Sequence, residues 1–159
     1  MEKSQENWTS SLQRGAVSGA TASLLSTAAL AALGKAGTGS MFAPTNAVSH
    51  WIWGDKAAGH HEASLRYTLP GFIIHHASAT FWAVLFERFM GPRLDRKDTA
   101  TTVGAALATS AVACFTDYKL TPRRLEPGYE KHLSKPALAL VYTAFGLGLA
   151  GGAMLCRRN

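Results

Sequence analysis

Four stretches of this chain contain no aspartate, glutamate, lysine or arginine, and their lengths limit what it can fold into. They are "GAVSGATASLLSTAALAALG" (15–34), "LPGFIIHHASATFWAVLF" (69–86), "ATTVGAALATSAVACFT" (100–116) and "PALALVYTAFGLGLAGGAMLC" (136–156). A helix rises about 1.5 Å per residue, so roughly 20 residues cross a hydrocarbon core about 30 Å thick. The chain therefore reads as all-α: a four-helix transmembrane bundle, one integral membrane domain over residues 1–159, with spans at about 15–35, 68–90, 99–118 and 136–156. A water-soluble bundle would carry charge on its outer face at every third or fourth position of each helix. None of the four stretches does, so the bilayer is the expected solvent.

Stretches one and three are rich in alanine, glycine, serine and threonine, which suits helices packed closely on neighbours. Gly15/Gly19 and Gly148/Gly152 repeat a Gly-x-x-x-Gly spacing that permits such contact, within the chain or with a protein partner or second copy. A small-x-small motif at 29–31 raises the question of a cleaved signal peptide. The leader holds acids as well as bases and the apolar run is long, so a retained helix is expected. The formal charge of +6 reflects basic residues at helix ends, where they anchor a chain to lipid. No basic stripe with interleaved aromatics points to nucleic acid. Cys114 and Cys156 lie near the ends of antiparallel spans and are expected on opposite faces, too far apart for a disulfide.

With four crossings, both termini and the loop between spans two and three share one side, and the loops at 36–67 and 118–135 share the other. Lysine and arginine number eight on each side, Lys3 included. The tight loop "ERFMGPRLDRKD" places its charge closest to helix ends, so both termini are expected in the cytoplasm of a bacterial inner membrane protein.

The unusual chemistry sits in the two long loops and the span ends beneath them. In loop one, Pro44 and the Thr45-Asn46 pair provide a stop and an N-cap, followed by Ala47, Val48, Trp51 and Ile52 at helical spacing. This predicts a short interfacial helix ended by Gly54, with Trp51 and Trp53 at headgroup depth. Pro122, Pro127, Gly128 and Pro136 predict a series of turns in loop three.

His75 and His76 stand six and seven residues after Leu69, roughly 9 to 11 Å along the helix. Adjacent positions differ by about 100°, so the two rings face different neighbours. An unpaired polar group in hydrocarbon is costly, so at least one ring is expected to face inward, with Asp117 and Tyr118 as partners. His50, His75, His76, Asp117, Tyr118 and Lys119 are the candidate lining of a polar pocket under the two loops. Arg123 and Arg124, with Lys119, are placed where anionic lipid headgroups collect.

Five of the six histidines, His50, His60, His61, His75 and His76, fall within twenty-seven residues, and imidazole is a common metal ligand. His60, His61, Glu62, His75 and His76 are thus candidate ligands for a metal ion, with Asp55 and Asp117 near them. No His-Glu-x-x-His, Cys-x-x-Cys or repeated histidine box supports a metal, and no cofactor is predicted. The other three spans contain no histidine to hold a haem between helices. Cys114 near these imidazoles has the residue types of a thiol nucleophile pair, although a lone buried cysteine is usually a small hydrophobe.

Two functions follow as expectations. The first is a non-enzymatic accessory or small-ligand-binding membrane protein with its pocket under loops 36–67 and 118–135. The second is a membrane-embedded metal-dependent or redox enzyme built on the histidine cluster. Transport would need a continuous polar path, which the Gly, Ala, Met and Leu at the end of span four do not provide.

Overall fold

The structure is a computed structural model and describes residues 7–158; Lys3, counted in the charge balance, lies outside them. Its helices are α1 (Trp8–Thr38), α2 (Ala43–Val48), α3 (His50–Trp53), α4 (Thr68–Leu94), α5 (Thr99–Phe115, continued by a wider turn, Thr116–Leu120) and α6 (Lys135–Leu155). Among the described residues there is no strand, and α1, α4, α5 with its extra turn, and α6 are each long and apolar enough to cross a membrane.

Helix ends depart from the ends of the uncharged stretches because caps, and not charges, set them. α1 begins well before Gly15, since Asn7 Oδ1 accepts the Thr9 amide (3.3 Å). It stops where Gly39 turns left-handed, at φ 78°. Asp98 caps α5 by accepting the Thr101 amide at 2.7 Å, and Ser134 caps α6, with Pro136 in its first turn. α4 runs through Pro92 to Leu94, past the expected end near residue 90.

Helix α1 lies between α4 and α6, and α5 packs chiefly on α6. Small residues let α1 approach on both sides. A Cβ placed on Gly15 would stand 2.8 Å from Val84 Cα, and one on Gly19 would stand 2.7 Å from Thr80 Cα. From the other side, Cβ atoms on Gly148 and Gly152 would lie 2.5 Å from Ala22 Cα and 2.4 Å from Ser18 Cα. Thr21 Oγ1 also donates to Gly148 O across this seam (2.8 Å). Both Gly-x-x-x-Gly spacings are therefore occupied by contacts inside the chain, which leaves those faces closed to a second copy. Around them, Phe86, Phe145, Leu149 and a set of alanines form the main core.

At the end holding the termini, the core contains charge. Glu87 is fully buried, accepts from Ser18 Oγ (2.6 Å), and pairs with Arg157 Nη2 (2.9 Å). Arg157 Nε reaches Asp95 (2.9 Å), which Arg14 also approaches (3.2 Å). A lone buried carboxylate would be costly, and the guanidinium offsets that cost through directed hydrogen bonds.

At the opposite end, all of α2 is buried, in contact with α1 and α4. Gly71 makes the crossing possible, since a Cβ there would stand 2.1 Å from Thr45 O. Asn46 is not the expected N-cap. It lies inside α2, donates from Nδ2 to His60 O and Glu62 O (2.9 Å each), and accepts from Thr68 Oγ1 (2.6 Å). One fully buried amide thereby ties loop one to the start of α4. Ser40 Oγ makes a further tie to His61 O. Loop three closes over this end through Trp51 Nε1 to Glu126 O (3.1 Å) and Lys131 to Asp55 (2.6 Å).

Gly148→Ala is expected to destabilise by about 1–3 kcal/mol through overpacking against α1. Gly151→Ala, where a Cβ meets nothing within 4 Å, is expected to be neutral or mildly stabilising. Thermal unfolding in detergent checks this; equal midpoints for the two variants would contradict the close α1–α6 contact.

Candidate functional site

His75 faces the bundle interior because Gly71 and Ala79, one turn to either side, share its buried face of α4. Both ring nitrogens are engaged: Nε2 lies 2.9 Å from Ser26 Oγ on α1, and Nδ1 lies 2.6 Å from the Tyr129 hydroxyl in loop three. Ser26 donates its one proton to Ala22 O (2.7 Å). The imidazole must then donate from Nε2 to Ser26 and accept at Nδ1 from Tyr129. Burial pushes the Tyr129 phenol above its ordinary range, aided by the charges of Asp117 and Glu130, so it stays protonated and able to donate. Gly128 permits this descent of the loop: its φ is 86°, and a Cβ would stand 3.1 Å from Ala47 O and 3.2 Å from His50 Nδ1.

The expected partners Asp117 and Tyr118 do not bond His75. After Phe115 the helix widens, with the Thr121 amide donating to Thr116 O (2.9 Å), and Asp117 turns toward α6. There its Oδ2 accepts from Tyr142 Oη at 2.6 Å. Asp117 forms no ion pair among the described residues. Tyr118 packs edge-on against Tyr142, centroids 6.2 Å apart, and its hydroxyl has no hydrogen-bond partner. Lys119 is exposed. His76 stacks on Phe72, centroids 5.9 Å apart, and its Nδ1 is unpartnered.

Ser26, His75, Tyr129, Asp117 and Tyr142 nonetheless line one cavity of 430 Å³. Small-molecule sites span about 300–1,000 Å³ and combine apolar walls with a few polar groups. Here Trp51, Phe81, Trp82 and Phe145 supply aromatic walls, and no lysine or arginine lines it. The cavity occupies the gap between α4 and α5, with α6 behind and loop three above. Phe81 is 58% exposed, so the mouth opens on the outer surface of the bundle.

The remaining candidates are elsewhere. His50 is buried, bonds Ala47 O through Nδ1 (2.8 Å), and borders a separate polar groove with Asp55, Arg123, Arg124 and Lys131. His60 stacks on Tyr67 at 3.9 Å and pairs with Glu62 at 3.4 Å, while His61 meets His132 at 5.3 Å. Among the described residues, no three histidine, cysteine, aspartate or glutamate side chains are grouped as a metal ion would require. The clustering of histidines in sequence is dispersed by the fold, because α3, the rest of loop one and the two faces of α4 carry them to different places. Cys114 and Cys156 are free thiols, and neither has a histidine partner.

Sequence inspection missed Ser26, Tyr129 and Tyr142. Ser26 is one of many small polar residues in its helix, and Tyr129 becomes visible only through the Pro127-Gly128 turn that drops it under the loop. Comparison with known protein families, with curated proteins and with solved structures finds no match.

His75→Ala leaves the Tyr129 hydroxyl without its acceptor and is expected to cost about 1–3 kcal/mol. His76→Ala should cost less; unfolding midpoints in detergent that fall equally would contradict the assigned pairing. His132, in loop three, is held below the usual imidazole value of 6.5, first by burial and then by the neighbouring His61 charge. Its contribution to stability is therefore present above that value and lost as pH falls below it. His132→Gln should flatten the pH dependence of the unfolding midpoint on the acidic side of neutrality, and an unchanged profile would contradict it.

Proposed function

We propose that this chain is a multi-pass protein of a bacterial inner membrane, with both termini cytoplasmic, that binds a small, largely apolar molecule between α4 and α5. The observation that carries this reading is the 430 Å³ cavity, walled by aromatic rings and holding few polar groups. Its mouth lies beside Phe81 on an uncharged part of α4, so a ligand dissolved in lipid could enter from the side. The polar atoms of His75 and Tyr129 are already satisfied by each other and by Ser26, which is the condition of a pocket wall that orients a ligand without reacting with it.

A hydrolytic reading meets two obstacles. Ser26 and His75 have the separation of a nucleophile and its base, yet the serine proton is committed to Ala22 O. The serine also sits mid-helix, where neighbouring amides are bonded within the helix and none is left for an oxyanion. The metal or redox reading lacks a shared ligand set among the described residues. The groove beside Arg123 and Arg124 suits anionic lipid headgroups at the membrane edge.

The test uses the two tryptophans in the cavity wall, Trp51 and Trp82. In phosphatidylcholine nanodiscs, para-bromoneopentylbenzene, an apolar quencher, is expected to quench tryptophan emission saturably. Ser78→Phe, which projects a ring into the cavity, should abolish the saturable part. Quenching that rises linearly and identically in both proteins would overturn the reading.

A further inference from the structure

Asp117 is an anomaly in that cavity. It is the one acidic residue in the lining, no lysine or arginine lines the space with it, and its hydrogen-bond partner is a neutral phenol. Elsewhere the protein treats buried charge differently: Glu87, at the far end, is matched by Arg157. A partly buried carboxylate without a countercharge is costly, and either a proton or a cation from outside the chain relieves that cost. Holding Tyr142 does not explain the acid, because an asparagine would accept the same hydrogen bond without a charge to bury.

The walls match this deficit. Trp51, Phe81, Trp82, Tyr129, Tyr142 and Phe145 surround the space, and aromatic faces carry negative potential that attracts cations, most strongly when both are desolvated. A lipophilic cation would satisfy the acid and the rings together. A compact ammonium bearing alkyl or aryl groups presents such a charge, while its apolar part suits Val48, Ile74, Leu125 and Val141. The side mouth beside Phe81 admits molecules that partition into the bilayer, as organic cations with delocalised or shielded charge do.

We infer that the cavity is a binding site for a hydrophobic organic cation of the ammonium class, whose charge pairs with the Asp117 carboxylate within the aromatic walls. This rests on the ligand-binding reading above and adds the charge of the ligand.

Two quenchers of the same shape separate the two claims. Para-bromobenzyltrimethylammonium and para-bromoneopentylbenzene differ by a quaternary nitrogen in place of a carbon. With the full chain in phosphatidylcholine nanodiscs, the cation is expected to quench the cavity tryptophans saturably and at lower concentration than its neutral isostere. Asp117→Asn, which keeps an acceptor for Tyr142, should weaken the cation by about tenfold or more and leave the neutral probe unchanged. Asp117→Glu, which restores the charge, should recover part of the loss. Equal saturation by both probes, indifferent to Asp117→Asn, would overturn the cation inference and leave the cavity reading standing. Saturation by the neutral probe alone would overturn the cation inference only, and failure of both probes to saturate would overturn both readings.

Discussion

At Gly15 and Gly19, helix α4 comes so near α1 that a methyl group would meet its backbone, and at Gly148 and Gly152 helix α6 does the same from the other side. In lipid this contact has a particular value. Burying apolar surface gains little when the surroundings are as apolar as the side chain, so dispersion and hydrogen bonding between closely apposed backbones must hold helices together. The many serines, threonines and glycines of α1 suit that role. The helix forms the centre of the bundle and gives up apolar bulk to let two neighbours in. α5 has no comparable seam with α4 and leans on α6, and that unequal packing creates the lateral gap.

The largest buried polar networks of the bundle lie at its two ends, and each end solves a different problem. Around Glu87 the solution is charge against charge, with Ser18, Arg157, Asp95 and Arg14 arranged over the last turns of α1, α4 and α6. Such a set fixes the register of three helices, since sliding any one by a residue would strand a buried carboxylate. Around His75 the solution is neutral: a phenol, an imidazole and a serine pass hydrogen bonds to a backbone carbonyl. A neutral chain costs less to bury and positions loop three as firmly. Asn46 does similar work for loop one, satisfying two of its carbonyls from a fully buried position.

Much of the architecture was legible in the sequence, because the length of an uncharged run and the thickness of a bilayer are nearly enough to count spans. The glycine pairs were legible too, although sequence could not say whether they faced a partner or the chain itself. The histidines show where such reasoning fails. Proximity along the chain suggested a cluster, yet His60, His61, His75 and His76 end in separate surroundings, since neighbouring helical positions diverge by about 100° and a loop folds back on itself. Asp117 lines the same cavity as His75. Its partner was missed because a single widened turn after Phe115 changes the direction in which the side chain points, and no residue in "TDYKL" announces that turn. Glu87 and Arg157 were overlooked as ordinary flanking charges, because hydropathy assigns them to the ends of spans and says nothing about whether they face lipid, water or each other.

The gap between α4 and α5 would be expected to close if the bundle sought only close packing. Phe81 and Trp82 on α4 and Tyr142 and Phe145 on α6 line it with aromatic rings. The widened turn at the top of α5 then brings a carboxylate to the edge of that space, while Lys119, two residues on, is exposed. A bundle that packs backbone to backbone along α1 keeps an aromatic, acid-edged opening beside it, which is the combination of rigid frame and open wall that a binding site would need.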